Sequence, residues 1–175
     1  MNLTKALKIL LTYNLPEHII AHSYKVTKVS WIISNELASK NIKVDIDLVL
    51  YSSLLHDITK YDAIINKGED HAETGGIFLR KLGYSNIAEI VENHIVIKNS
   101  KTFLLEKKIV FYSDKRVMHD KIVSLETRYN DLLNRYGKSK FSRILIKNGF
   151  KNAQKIEKEI FSKIGFNPDY INMLI

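Results

Sequence analysis

Apolar residues in this chain recur at intervals of three and four. Leu3, Ala6, Leu7, Leu10 and Leu11 form a first stripe, the spacing of a helix that buries one face. Asn14 and Pro16 then supply a cap and an early helical proline for a long helix running to about Ser39. Asp45 or Asp47 caps a third helix, which carries Leu48 through His56. After a loop from Tyr61 to Glu69, Asp70 starts a helix that Gly83 ends, and Ser85 starts another through about Ile95. Residues 104–120 and 124–136 read as two more, the second closed by Gly137. Ser139 to Ile164 keeps the helical period, with a kink or turn expected at Asn148-Gly149, and Pro168 begins a last short turn. Alternating β-branched runs are scarce, so the pattern predicts an all-α protein, a single-domain helical bundle without internal repeats.

Composition narrows the picture. With 175 residues the chain suits one domain, able to bury roughly 70% of the surface its unfolded form exposes. It has no cysteine, which excludes disulfides and thiolate ligands, leaves His, Asp and Glu to hold any metal, and points to a reducing compartment. The opening MNLTKALKILL is interrupted by Lys5 and Lys8 and lacks a small-residue cleavage site, so it reads as an amphipathic helix and not a secretory signal. No apolar run approaches the ~18 residues of a membrane span. The expectation is a cytoplasmic protein with no membrane partner.

The net charge of +8 is unevenly placed. Residues 1–95 hold 10 Lys and Arg against 11 Asp and Glu, whereas residues 96–175 hold 17 against 8. The excess belongs to a basic helical extension over about 121–175. There Arg143, Lys147, Lys151 and Lys155 recur every four residues, either as a stripe facing nucleic-acid phosphates or as a solvated face.

The candidate chemistry centres on His56 and Asp57, which end the apolar run Leu54-Leu55 in LLHDITK. An imidazole next to a carboxylate offers a nitrogen ligand and an oxygen ligand that suit divalent first-row metals. Adjacent helical side chains leave the axis about 100° apart, so these two can converge only on something near the helix end. His22, His71, His94 and Asp114 supply further donors, each in a segment that reads as helix. His22 shares an inward register with Val26 and Val29, where a hydrogen-bonded core histidine is the plainer reading. Asp114 lies among Val110, Phe111, Tyr112 and Val117, where a carboxylate is costly unless paired or coordinating. A salt bridge to Lys115, Arg116 or a distant lysine would serve equally. The remaining histidines read as decoys: His18, four residues before His22, could substitute for it as a donor, and His119 lies five past Asp114.

The order His22, His56-Asp57, His71, His94, Asp114 resembles the HD-domain (HDIG-type) metal-dependent phosphohydrolase superfamily over about residues 17–120. LLHDITK is similar to its HDIGK-like segment, HAETGG to its His-then-Gly helix start and FYSDKRV to its final helix, while DKRVMHDKIVSLETRY resembles small bacterial members of unassigned substrate. The resemblance implies an HD-type fold and two divalent transition-metal ions, drawn from Fe, Mn, Co, Ni or Zn. His22, His56, Asp57 and Asp114 would hold one, His71 and His94 the second, and Asp57 would bridge. The implied reaction is hydrolysis of a phosphate ester or anhydride of a nucleotide or small phosphorylated compound by a metal-bound hydroxide. Ions ~3.5–4 Å apart lower the pKa of such a group and clamp attacking and leaving oxygens. Asp57 and Lys60 would be catalytic, Lys60 also contacting the phosphate. Lys25, Lys115 and Arg116 are further candidates for substrate binding, of which at most one of the adjacent pair can face the site.

The chain also departs from the family's better-known branches. His94 is followed by Ile95-Val96-Ile97 and no Gly-Tyr-Pro occurs, which disfavours the cyclic-dinucleotide phosphodiesterase branch. Symmetrical diadenosine tetraphosphate hydrolysis is the nearest named activity, yet that branch continues differently after Asp-Lys from Arg116-Val117-Met118-His119. Thr59 replaces the usual glycine of HDIGK. Two other classes compete with the enzyme: a basic helical nucleic-acid-binding module, and a degenerate fold kept as a regulatory binder, which six intact donors oppose.

Overall fold

The computed structural model describes residues 1–96 and 104–174. Within them the chain is helical almost throughout, as the hydrophobic period predicts. Helix α1 (Leu3–Thr12) starts where the Asn2 side chain accepts from the Lys5 amide at 2.9 Å. Helix α2 spans Glu17–Ser39, and α3 (Ile46–Leu55) is capped by Asp45, whose carboxylate accepts from Leu48. Helices α4 (Lys60–Ile65), α5 (His71–Lys81, capped by Asp70) and α6 (Ser85–Val91) follow. Helix α7 (Leu105–Lys115) leads into a short antiparallel hairpin, β1 (Val117–Met118) with β2 (Lys121–Ile122). Ser124 caps α8 (Leu125–Tyr136), Ser139 caps α9 (Lys140–Ile164), and a 3-10 turn over Pro168–Met173 ends the described chain. No described helix is long and apolar enough to cross a membrane.

Helix α3 joins the two halves of the core. Its Val49 packs with Val26, Val29 and Ile33 of α2, Ile109 and Val110 of α7, and Ile156 and Ile160 of α9. Its Leu54 and Leu55 pack with Leu10 of α1, Leu79 of α5, and Ile87 and Val91 of α6. From Tyr51 to Leu55 every residue of α3 is buried, so this half of the helix has no solvent face to relieve a polar end. The polar residues that follow it therefore enter the interior.

Several local expectations are corrected. Pro16 itself holds the N-cap position of α2, and Asn14 sits in the preceding turn at φ 57°. The expected loop 61–69 opens with α4, α6 stops at Val91 instead of about Ile95, and the expected helix over 104–120 gives way after Lys115 to the hairpin. His119 takes φ 57° in the two-residue hairpin turn, the left-handed conformation such tight turns demand. No break occurs at Asn148-Gly149. Gly149 continues α9 because the Tyr129 ring lies against it, where a Cβ would come within 3.3 Å of Cε1. Lys147, Lys151 and Lys155 are exposed along α9, while Arg143 donates from Nε to the Gly137 carbonyl at 2.8 Å.

Arg116 belongs to the fold. It is 1% exposed and turns away from its neighbour Asp114. Its Nε donates to the Val123 carbonyl at 2.7 Å, Nη1 to the Tyr112 hydroxyl at 2.7 Å, and Nη2 to Asp169 at 3.1 Å. Tyr112 in turn donates to Glu157 of α9 at 2.6 Å. One guanidinium thus ties α7 to α9, to the hairpin and to the C-terminal turn. Arg116→Ala, which strands the buried Tyr112 hydroxyl and removes a buried guanidinium that joins four segments, is expected to cost about 3 kcal/mol, read from urea unfolding with a chelator present.

Candidate metal centre

Three chain reversals and two helix interiors bring the donors together. Helix α3 stops at Leu55, and a tight turn, in which the Ile58 amide donates to the Leu55 carbonyl and Lys60 to Asp57, holds His56 and Asp57 at its end. His71 opens α5 and His94 lies in the turn after α6. His22 comes from the second turn of α2 and Asp114 from the last turn of α7. Thr59 locks two of these pieces: its hydroxyl donates to the His71 carbonyl at 2.8 Å and accepts from Thr74 at 2.9 Å. Gly75 permits that approach, since a Cβ there would lie 3.1 Å from Val91 and 3.3 Å from the Thr59 hydroxyl.

The six expected donors converge on one buried spot. Asp57 is 1% exposed, and its two oxygens face different imidazoles. Oδ2 lies 3.3 Å from His56 Nε2 and 3.8 Å from His22 Nε2. Oδ1 lies 3.2 Å from His71 Nε2 and 3.5 Å from His94 Nε2. Asp114 Oδ1 completes the first group, 3.1 Å from His22 and 3.7 Å from His56. His22, His56 and Asp114 form one set able to hold a cation, and His56, Asp57 and His94 form another. His71 stands outside both sets, beside Asp57 and against the His94 ring at 5.3 Å.

Backbone carbonyls fix three of the imidazoles from behind. Nδ1 of His22 donates to the His119 carbonyl at 2.7 Å, that of His56 to Ser53 at 2.7 Å, and that of His94 to Val91 at 2.6 Å. A proton held on Nδ1 leaves the Nε2 lone pair for a metal. His56 Nε2 and Asp57 Oδ1 are buried without any hydrogen-bond partner. Orphaned acceptors amid nitrogen and oxygen donors are what a divalent first-row cation requires. The residues present therefore fit such an ion.

The electrostatics agree. Burial opposes charge on His56, but the Asp57 and Asp114 carboxylates raise its pKa to about 9. Burial pushes His94 down to about 4 against the pull of its bond with Asp57. Burial alone would raise both carboxyls. Instead His56 and Lys60 hold Asp57, and Lys115, His22 and His56 hold Asp114, well below the usual carboxylate range. Two persistent anions that favour positive charge at His56 would favour a bound cation in the same place, which would displace the proton from His56 Nε2.

Of the expected cations, two reach the cluster. Lys60 Nζ donates to Asp57 Oδ2 at 2.6 Å, and Lys115 Nζ donates to Asp114 Oδ2 and, at 3.4 Å, to the His94 carbonyl. Lys25 is half-buried and makes no ion pair among the described residues, and Arg116 faces away. The alternative histidines are exposed: His18 lies on the outside of α2, and His119 contributes its carbonyl instead of its ring. No side-chain pattern announces the carbonyls of Ser53, Val91 and His119, because any residue type supplies one.

The HD domain family's sequence model matches residues 19–118, a span that contains all six donors. An uncharacterized protein of Methanocaldococcus jannaschii is 30% identical over 166 residues, 85% of this chain and 95% of the relative. The fold is similar to the crystal structure of a predicted HD superfamily hydrolase from an uncultured Thermotogales bacterium, with a TM-score of 0.51, 18% identity and 92% of each chain covered. With that domain matched over more than half of its length and its donors gathered at one centre, the chain belongs to the HD-domain family.

Proposed function

We propose that this protein is a metal-dependent phosphohydrolase that cleaves a phosphate ester or anhydride of a nucleotide or other small phosphorylated compound. The observation that carries the proposal is the division of Asp57 between two pairs of histidines, Oδ2 toward His22 and His56 and Oδ1 toward His71 and His94. A carboxylate so placed is suited to bridge two ions. His22, His56, Asp57 and Asp114 would hold one, and His71 and His94 with Asp57 the other. Bound divalent ions supply Lewis acidity at phosphoryl oxygens and a water acidic enough to act at neutral pH.

The chain's own groups do the rest. The Nδ1 contacts keep three imidazoles aimed inward at no cost during the reaction. Lys60, partly exposed at the edge of the cluster, is placed to meet a phosphoryl oxygen and to offset charge that develops on it. Lys115 is buried beside Asp114, where it holds that carboxylate ionised. Burial of the donors excludes bulk water from the reacting centre. Symmetrical cleavage of diadenosine tetraphosphate is one reaction of this class.

Elemental analysis of purified protein, followed by phosphate-release screening with diadenosine polyphosphates, nucleotides and cyclic dinucleotides, tests the reading. Bound transition metal and metal-dependent release are expected; an active protein that keeps its rate after Asp57→Ala would overturn it, since that change should cost on the order of a thousandfold. Lys60→Met should lower kcat roughly a hundredfold with metal content unchanged. His18→Ala and His119→Asn should leave metal content and kcat as they are, because neither ring reaches the donors.

A further inference from the structure

The inner face of α8 carries a buried cation that the cluster itself does not use. Arg128 is 8% exposed and lies just beyond the capped first turn of α8, outside the residues the HD domain matches. Its charge is poorly matched. Nη1 donates to Asp131 Oδ2 at 3.3 Å, yet that oxygen already accepts from Arg135 Nε at 2.9 Å and from Arg135 Nη2. Nε of Arg128 is buried with no acceptor, and Nη2 has no partner among the described residues. A guanidinium whose buried Nε–H lacks an acceptor is costly unless something anionic completes it.

The charged neighbours of Arg128 indicate what the anion is. The chain that leads into α8 is anchored to the cluster: the His119 carbonyl holds His22, and the Val123 amide donates to the Arg116 carbonyl at 2.8 Å. Arg128 is near enough to Lys60 for the two like charges to repel, and the neighbouring Tyr129 hydroxyl, kept neutral by burial and by Asp114, is also buried without a partner. Two repelling cations beside a hydrolytic centre are reconciled by an anion between them. The Nε–H and Nη2–H of one guanidinium are parallel and spaced for two oxygens of a phosphoryl group, which an ammonium cannot match.

We propose that Arg128 is a substrate-binding residue, whose Nε–Nη2 edge grips two phosphoryl oxygens of a phosphate monoester or polyphosphate held between it and Lys60. This inference rests on the phosphohydrolase reading above and adds the group that makes the site select phosphate. The basic region beyond the shared domain then contributes to substrate recognition through this one inward cation, whatever its exposed lysines do.

The test uses the full-length, metal-loaded protein, with inorganic phosphate as the binding probe and p-nitrophenyl phosphate as the hydrolysis probe. Arg128→Gln should weaken phosphate binding and raise KM roughly ten- to a hundredfold, the loss expected of a charge-assisted contact, while metal content and thermal midpoint hold. Arg128→Lys should recover only part, having no fork. In the wild-type protein, phosphate should shift the Arg128 Nε–H resonance, a readout independent of whether the variants fold. If the wild type binds and hydrolyses but Arg128→Gln keeps its KM and the resonance does not move, Arg128 is a structural residue and this inference fails while the phosphohydrolase reading stands. If the metal-loaded wild type neither binds phosphate nor hydrolyses any phosphate compound, the reading fails and takes the inference with it.

Discussion

A carboxylate with 1% exposure is tolerable only when its surroundings return what water would have given it. At Asp57 the Lys60 ammonium and a positively charged His56 supply part of this, and His22, His71 and His94 turn ring nitrogens toward the oxygens as co-donors for a cation; each comes from a different part of the chain: His22 from α2, His56 from the end of α3, Lys60 from the start of α4, His71 from α5 and His94 from beyond α6. No local segment could satisfy this charge. The bundle must close around it, so the position of one oxygen pair fixes the relative placement of five elements. Loss of any partner leaves a buried charge exposed to the rest, which makes the cluster a structural constraint as well as a chemical one.

Helix α7 serves the same end by dividing its final residues between two sides. Asp114 and Lys115 are buried at the cluster, while Arg116, one residue on, is buried against α9 and the C-terminal turn. The hairpin that follows folds back so that the His119 carbonyl reaches His22. The C-terminal region is thereby coupled to a donor of the centre through the backbone. A shift of α9 would be felt at His22 through Arg116 and the hairpin.

Much of this was legible in the chain. The stripe of α1, the Asp45 and Asp70 caps and the glycine-poor helices follow from local spacing; His22 and Asp114 stand out because polar residues among apolar ones need an explanation, and the full set of six follows from the resemblance to the HD-domain pattern. What escaped prediction depends on tertiary context. Gly149 reads as a break, yet it stays helical because the Tyr129 ring occupies the space a side chain would take. Lys115 and Arg116 are equivalent cations in sequence; only the placement of Tyr112, Val123 and Asp169 shows that Arg116 is engaged elsewhere. The carbonyls that orient the imidazoles carry no sequence signal at all. Thr59 looked like a departure at a glycine position, and its hydroxyl proves to join the His56-Asp57 turn to α5. Arg128 carries no sequence signal, because an arginine in a basic helical region is ordinarily a surface residue.

In the proposed function Asp57 stands between two cations, and electron paramagnetic resonance of the protein titrated with Mn(II) tests that directly. Ions bridged at roughly 3.5–4 Å couple magnetically. The expected result is a coupled dinuclear signal that grows in toward two equivalents and is lost in Asp57→Asn. A signal of isolated, uncoupled ions at every loading, or a coupled signal that survives Asp57→Asn unchanged, would contradict it.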